Sequence, residues 1–579
     1  MKLQHWALLS ALCASWMSCS TAHHRKTADK EVYDILSAAA KGQLELLKTT
    51  NDFARNSLQR LAGNGFEIAP TNTAWASSST NASKDPYRVK AESIISNRLS
   101  DGTRLLTLPD ALRLAEVNNR SYQLKRETVY LSALTLTSTR HQFELIPSGS
   151  VEGSFTRNSD GSTTKKADTS LGFSKLFRAG GKLSADLAND LSLYLNGTPK
   201  VPSLTLVLTQ PLLRGAGASV AAEVLTQAER DVVYEIRDYT HYQSTFSLDI
   251  IDRYYRLLQQ KDSVRNAYDN YLRLIQLREL AEALQNAERV PEYQVDQARQ
   301  DEYQARLQYI AAIESYQTSI DGFKQQLALP QGEKLALDDT ALTNLVKAAM
   351  NPVQMEEIDA FKIARRQRLD LLNEIDKFED AQRKLRVAEN KLLPELTFVT
   401  DASLSDQTYD DFKLNNYTIT PKLKLDLPFD RLAERNAYRT ALINFEKQIR
   451  SLASSLDTLR ESIRKDLRVA ERSRQDYALQ LNALDIARRR VENLPLLFQA
   501  GRSTVRDQLE AQSAFVRAQN GVTKSLIDFH LSRLNMQRDI GALNTTTTEK
   551  WLESSLGQPA VPNTGNTLPV VPPDEIFKN

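Results

Sequence analysis

Hydrophobic positions along this chain follow two rhythms. Short runs alternate apolar and polar residues one by one. Two very long runs, Ala218–Val290 and Phe429–Leu494, contain neither glycine nor proline. Those two residues are the strongest breakers of local structure, so their absence over more than sixty positions predicts uninterrupted helices. At 1.5 Å per residue the first run would reach roughly 110 Å. Each long run comes shortly after an alternating run that ends in proline, Leu204–Pro211 (LTLVLTQP) and Leu423–Pro428 (LKLDLP).

The same order of segments is written twice. The first copy opens with a predicted helix over Leu108–Phe143, then Leu145-Ile146-Pro147 and a strand-like run at Ser150–Thr156. A polar region follows, then Leu204–Thr209, Gln210-Pro211 and the first long helix. The second copy opens at Arg368-Leu369-Asp370-Leu371 and continues through Leu392-Leu393-Pro394, the strands Leu396–Leu404 and Tyr417–Leu427, and the second long helix. Returning helices are expected after a bend at Val290-Pro291, over Tyr293–Leu329, and after a bend marked by Pro495 and Gly501, over Ser503–Leu543. Antiparallel helix pairs of this kind bury narrow Leu/Ala stripes.

In Ile419–Leu427, Ile419, Leu423, Leu425 and Leu427 point one way, and Thr420, Lys422, Lys424 and Asp426 the other. Val151 and Phe155 alternate similarly with Ser150, Glu152, Ser154 and Thr156. Strands that cross an outer membrane turn apolar side chains to lipid and polar ones to a wet lumen. A half-buried strand of a soluble sheet alternates too. The charged inner positions, the flanking helices and the leader described next favour membrane strands. Two further strand-like runs, Ser170–Phe177 and Lys182–Leu195, flank Ala179-Gly180-Gly181 and have no counterpart in the second copy. They fit either a hairpin outside the membrane or extra sheet in a barrel.

Composition narrows the function classes. Lys and Arg number 74 against 72 Asp and Glu, so there is no basic excess to suggest nucleic acid. Both cysteines, Cys13 and Cys19, lie in the first twenty residues, which leaves the rest of the chain without a thiol nucleophile or cysteine-ligated metal. His23-His24 is read as an accident of a surface arm, and no metal site is expected. Met1–Ser18 reads as a secretory signal, since its apolar run is too short to span a membrane. Trp16-Met17-Ser18-Cys19-Ser20 resembles a bacterial lipoprotein processing site, with Cys19 as the lipidated residue and Trp16 departing from the usual leucine. Asp29–Leu61 is expected to be helical, Ala69–Asp85 a linker, and Gln558–Pro573 disordered.

The ordered motifs resemble those of the outer-membrane efflux protein family, the TolC-like channels. They are Leu108-Pro109-Asp110-Ala111-Leu112 with Asn118-Asn119, Leu392-Leu393-Pro394, Thr209-Gln210-Pro211-Leu212-Leu213, and the run from Ala500 to Gln512 (AGRSTVRDQLEAQ). The resemblance implies a mainly α chain with membrane β-strands. It implies a homotrimer giving four strands per subunit to a twelve-stranded β-barrel, continued by a periplasmic α-helical barrel. Cargo would arrive from an inner-membrane RND, ABC or MFS transporter through a periplasmic adaptor (membrane fusion) protein. No cofactor and no enzymatic chemistry are implied. The segmentation is 1–18 signal, 19–105 arm and linker, 106–330 first repeat, 331–367 connecting equatorial segment, 368–545 second repeat and 546–579 tail.

By the same resemblance, Asp507 and Glu510 occupy the family's entrance constriction at the second bend. Their i, i+3 spacing places them on one helix face, and three copies would form anionic rings. The family's closing arginine is Ser503 here, with Arg502 and Arg506 on either side as possible modulators. The first bend reads Glu288-Arg289-Val290-Pro291-Glu292 and lacks the usual glycine. The rival reading is a periplasmic coiled-coil lipoprotein that spaces or tethers without conducting; it leaves the duplicated strand pairs unexplained.

Overall fold

The structure, a computed structural model, describes residues 21–40, 103–190, 203–347, 355–404 and 417–543. The signal segment, Cys19, most of the arm and linker, and the tail from residue 544 lie outside the described residues. In chain order the elements are α1 (Thr21–Ala40), β1 (Thr103–Leu106), α2 (Leu108–Asn118), α3 (Arg120–His141), β2 (Leu145–Arg157), β3 (Thr163–Leu176), β4 (Lys182–Asp190) and β5 (Ser203–Pro211). After a single turn at Ala218–Ala221 come α4 (Glu223–Asn286), α5 (Glu292–Gln326), β6 (Lys334–Leu337), α6 (Thr340–Lys347), α7 (Glu357–Gln367) and α8 (Leu369–Asn390). The chain ends in β7 (Glu395–Leu404), β8 (Tyr417–Asp426), α9 (Leu432–Gln499) and α10 (Val505–Asp539).

The two punctuation-free runs are helices of 64 and 68 residues, as the sequence predicts. α3 and α8 each have 22 residues, and the returning helices α5 and α10 each have 35. Three expectations need correction. The single helix over Leu108–Phe143 is two helices, because Asn119 turns extended: its Oδ1 accepts from Tyr122 N at 3.0 Å and its Nδ2 donates to Gln326 O at 2.7 Å. Arg368 makes the matching break before α8. Pro495 does not stop α9, which runs one turn further. The described part of the N-terminal helix begins at Thr21 rather than Asp29 and buries Val32, Ile35, Leu36 and Ala39.

Contacts divide the described residues between two units. One contains the described parts of Met1–Asn72, Leu124–Tyr242 and Arg365–Leu459; the other those of Thr73–Gln123, Gln243–Ala364 and Arg460–Asn579.

The first unit holds a six-stranded sheet in the order β2-β3-β4-β5-β7-β8, antiparallel throughout. Four strands per chain were expected, so the inserted runs are sheet, and they lie in its middle. The register sorts side chains by polarity. One face carries Leu145, Val151 and Phe155 of β2, then Leu171 and Phe173 of β3, which oppose Leu187 and Ala185 of β4. It continues through Leu204, Leu206 and Leu208 of β5, then Leu404 and Ala402 of β7, to Tyr417, Ile419, Leu423 and Leu425 of β8. The other face carries Ser150, Glu152 and Ser154, then Ser170 and Ser174, Ser184 and Asp186, Thr205 and Thr209, Thr397 and Asp401, and Thr420, Lys422 and Lys424. Ile146, Leu176, Val207 and Val399 are its apolar exceptions, and Arg157, Thr169, Lys175, Gln210 and Thr400 are polar exceptions on the first face. Ser150 Oγ and Ser170 Oγ share a hydrogen bond of 2.7 Å there, and Lys422 pairs with Asp401. The apolar face is open: Val151 is 79% exposed and Leu423 66%. Among the described residues no helix is long and apolar enough to cross a membrane.

Beside the sheet, α4 and α8 are locked by buried charge. Arg237, 1% exposed, pairs with Asp376 and donates to Asn373 Oδ1 at 3.2 Å. Arg230 Nε meets Asp380 Oδ1 at 2.5 Å, while Tyr234 OH donates to Asp380 Oδ2 at 2.6 Å. Such a network adds less stability than an apolar contact of equal area, but sliding one helix past the other would strand several buried charges.

In the second unit β1 and β6 form a parallel pair, with Leu106 opposite Leu337, and Tyr254 OH donates to Leu106 O at 3.1 Å. Here α9 and α10 bring Asp466 against Asp539. Asp466 Oδ2 is buried with no donor to satisfy it. Burial, and the hydrogen bond and charge of Asp539, push the Asp466 carboxyl up to about 7. A folded-state pKa above the unfolded value of ~3.9 means that the protonated pair stabilises fully below that value and fades as pH rises through about 7. Asp466→Asn supplies the donor without a proton. The variant should unfold at higher temperature than the parent at pH 8 and lose the decline between pH 4 and 7. An equal decline in both proteins, followed by thermal denaturation across that range, would place the shared proton elsewhere.

Candidate constriction at the helical bends

Both long helices end in the same backbone device. In the second bend Arg502 N donates to Leu497 O at 2.8 Å and Gly501 N to Phe498 O at 2.9 Å, with Gly501 at φ +69°. In the first, Arg289 N donates to Leu284 O at 2.9 Å and Glu288 N to Gln285 O at 2.8 Å, with Glu288 at φ +58°. This is the Schellman ending, whose left-handed residue is ordinarily glycine because a Cβ there clashes with backbone. The first bend therefore keeps the conformation although the glycine is missing. The two hairpin ends share one core, in which Leu274, Leu277, Ala281, Val295 and Ala298 meet Phe498 and Val505.

Asp507 sits at the third position of α10. Its Oδ2 accepts from Thr504 N at 2.9 Å and from Thr504 Oγ1 at 2.7 Å, while Asp507 N donates to Thr504 Oγ1 at 3.3 Å. This reciprocal capping box satisfies helix-end donors that would otherwise be unpaired. Those hydrogen bonds, with the charges of Arg490 and Arg506, hold the Asp507 carboxyl below the usual carboxylate range. Glu510 follows one turn later and is 62% exposed. Gln508 and Gln512 are buried toward the neighbouring helices, whereas Arg502, Arg506 and Glu510 are exposed and Asp507 and Ser503 half-buried.

Of the residues singled out by sequence, the fold brings Asp507 and Glu510 onto one edge with Arg506 beside them. Ser503 Oγ donates to Leu494 O at 3.4 Å and so closes the bend. The cation that meets Glu510 is Arg490 of α9, at 3.4 Å. Sequence reasoning missed it by looking only after the bend. The signal was present in the run Arg488-Arg489-Arg490, since residues 490 and 510 lie equally far from the turn at residue 500. Arg488 and Arg489 are both held by Asp485, which leaves Arg490 to cross the hairpin.

The first hairpin is tied differently. Arg278 bridges Glu282 at 2.8 Å and also pairs with Glu302, while Arg299 reaches Glu282 at 3.0 Å. The second hairpin instead packs Ala487, Phe515 and Ala518 with Leu484 and Val491.

Residues 361–537 match the family described as Outer membrane efflux protein. No curated protein sequence matches the chain. Among solved structures, CusC, whose crystal structures are described as bearing on transmembrane channel formation, superposes with a TM-score of 0.57 at 12% identity over 75% of this chain and 92% of CusC. The Campylobacter jejuni CmeC outer membrane channel gives 0.54 at 14% identity over 78% and 89%. The outer membrane protein VceC of Vibrio cholerae gives 0.55 at 12% identity over 75% and 96%. The resemblance read from the motifs is thus borne out, by the family match in the second half and by the fold of TolC-like channels over most of the chain.

The bends yield a paired prediction. Glu288→Gly should stabilise the first hairpin end by about 1 kcal/mol, and Gly501→Ala should destabilise the second by about as much. Amide hydrogen exchange at the two bends measures both. Equal protection in parent and variants would show that the left-handed positions carry no strain.

Proposed function

We propose that this chain is the outer-membrane exit channel of a tripartite efflux or type I secretion system. A homotrimer would close the sheets into a barrel in the outer membrane of a Gram-negative-type bacterium. The helices would form a periplasmic tunnel, with Cys19 as a lipid anchor. A periplasmic adaptor and an inner-membrane transporter of the RND, ABC or MFS class would deliver the cargo.

The observation that carries this reading is the sheet itself. Its two faces differ in polarity over most of their length, with Thr169, Lys175 and Thr400 as polar exceptions on the apolar one, and that face is exposed at Val151, Phe155 and Leu171 and at Ile419, Leu423 and Leu425, as a surface meant for lipid would be. The helices add support: Tyr303, Leu307 and Ile310, at spacings of four and three on α5, are 58%, 61% and 53% exposed. A stripe of that kind fits a neighbouring helix in an oligomer. A coiled-coil spacer lipoprotein has no use for the sheet. Heat-modifiable trimers in outer-membrane extracts together with ion conductance in planar bilayers separate the two readings, and a soluble, non-conducting monomer after delipidation would sink the channel.

Asp507 and Glu510 would ring the periplasmic entrance. The capping box holds the Asp507 carboxyl below the usual carboxylate range, and Arg490 offsets part of the charge of Glu510. Replacing both acids with alanine should change single-channel conductance and weaken block by multivalent cations. Asp507→Asn with Glu510→Gln preserves an oxygen acceptor for Thr504 and should give the same loss of block, which separates charge from helix fraying. Conductance and block indistinguishable from the parent in both variants would locate the constriction elsewhere.

A further inference from the structure

Resting on the channel reading, we infer that three copies of this chain close a single barrel of eighteen strands, with the inserted β3–β4 pair as part of its wall. The first ground is position. β3 and β4 lie between β2 and β5, with β2 paired to β3 from Leu145↔Lys175 to Arg157↔Thr163, and β4 to β5 from Lys182↔Thr209 to Ala188↔Ser203. A pair at the margin could fold aside. A pair in the middle can leave only by giving up both ladders.

The second ground is polarity. Leu171, Phe173 and Leu187 fall on the same face as Val151, Leu206 and Leu423, and Ser174, Ser184 and Asp186 fall on the face of Glu152 and Lys422; Thr169, Lys175 and Leu176 are the exceptions on β3. A hairpin projecting beyond the membrane has no need to continue that sorting strand by strand. Leu171 is 66% exposed, which suits lipid and not water.

The third ground is how the inserted turn is anchored. Ala179 O accepts from Gly217 N at 3.2 Å and from Gln210 Nε2 at 3.4 Å. Gly180, at φ +93°, lies so close to Gly215 O that a Cβ would come within 2.6 Å of it. The turn is therefore built against the approach to α4, at the same end of the sheet as the helices.

The edges then dictate assembly. β2 and β8 have free outer edges among the described residues, and five antiparallel ladders make these two strands antiparallel to each other. The β8 edge of one copy can therefore pair with the β2 edge of the next, and so on around a ring. Unpaired backbone groups are not tolerated in hydrocarbon, so the ring has to close. Six strands from each of three copies make eighteen. Barrel diameter grows about linearly with strand number, so this outlet would be roughly one and a half times as wide as a twelve-stranded one, in the range that leaves an aqueous channel.

Electron cryomicroscopy of the detergent-solubilised full chain tests the count without any mutation. Eighteen strands in one closed sheet support the inference. A conducting trimer with twelve strands and β3–β4 outside the wall overturns it while leaving the channel reading intact. A monomeric or non-conducting protein overturns the channel reading, and the ring with it. A variant in which an Asn-Gly turn joins Thr156 directly to Ser203, two positions on the same polar face, gives a second readout. In planar bilayers, the radius of the smallest poly(ethylene glycol) excluded from the barrel side should fall by about a third relative to the parent. An equal cut-off in a variant that still conducts as a trimer would overturn the eighteen-strand wall.

Discussion

Slipping any one ladder of the six-stranded sheet by a single residue would turn that strand's leucines to the polar face and its serines and lysines to the apolar one. The division of the sheet into two unlike faces therefore depends on five antiparallel registers agreeing with one another. They do agree, from Leu145 at one edge to Tyr417 at the other. The ladders also bring the helix-proximal strand ends to one side, where Gln210, Ala179 and Gly217 meet. The channel proposal and the strand count both rest on this agreement.

The helices depend on continuity instead. A helix of more than sixty residues gains little from propensity alone and needs a partner along its length. In this chain the partners are the returning helices of 35 residues and, in the first unit, the buried charges that join α4 to α8. The two bends share a backbone solution but use different chemistry around it. The first is clamped by Arg278, Glu282 and Arg299, and the second by apolar packing and the capping box of Thr504 and Asp507. Asp507 thus does two things at once: it caps a helix, and it places a carboxylate at the bend with its charge preserved.

Much of this was legible in the residues. The long helices follow from the absence of glycine and proline, β8 from its alternation, and β7 from its place after Leu392-Leu393-Pro394 in the repeat. Asp507 and Glu510 followed from a motif and its spacing. The errors have physical causes as well. Asn119 looks helical in a run of helical residues, yet its amide has better partners in Tyr122 N and Gln326 O, the latter over two hundred residues away. Pro495 looks like a stop, yet it stands one turn before the end, where losing a single backbone donor still lets the helix continue. Arg490 was invisible because a salt link across a hairpin depends on where the turn lies.

Which segments are helical and which alternate can be read from the residues alone, since both depend on neighbours within a few positions. The order of the repeated strands and long helices, and the place of Asp507 and Glu510 just after the second bend, follow from the same local reading. That the inserted runs lie inside the sheet is visible only once the fold is known. Strand order is a matter of pairing between segments far apart in the chain, and alternation reads the same in a hairpin that stands alone as in one that joins β2 to β5. The same holds for Glu288: its side chain argues against a left-handed turn, and the packed core around Leu274, Val295 and Phe498 accompanies that turn nonetheless.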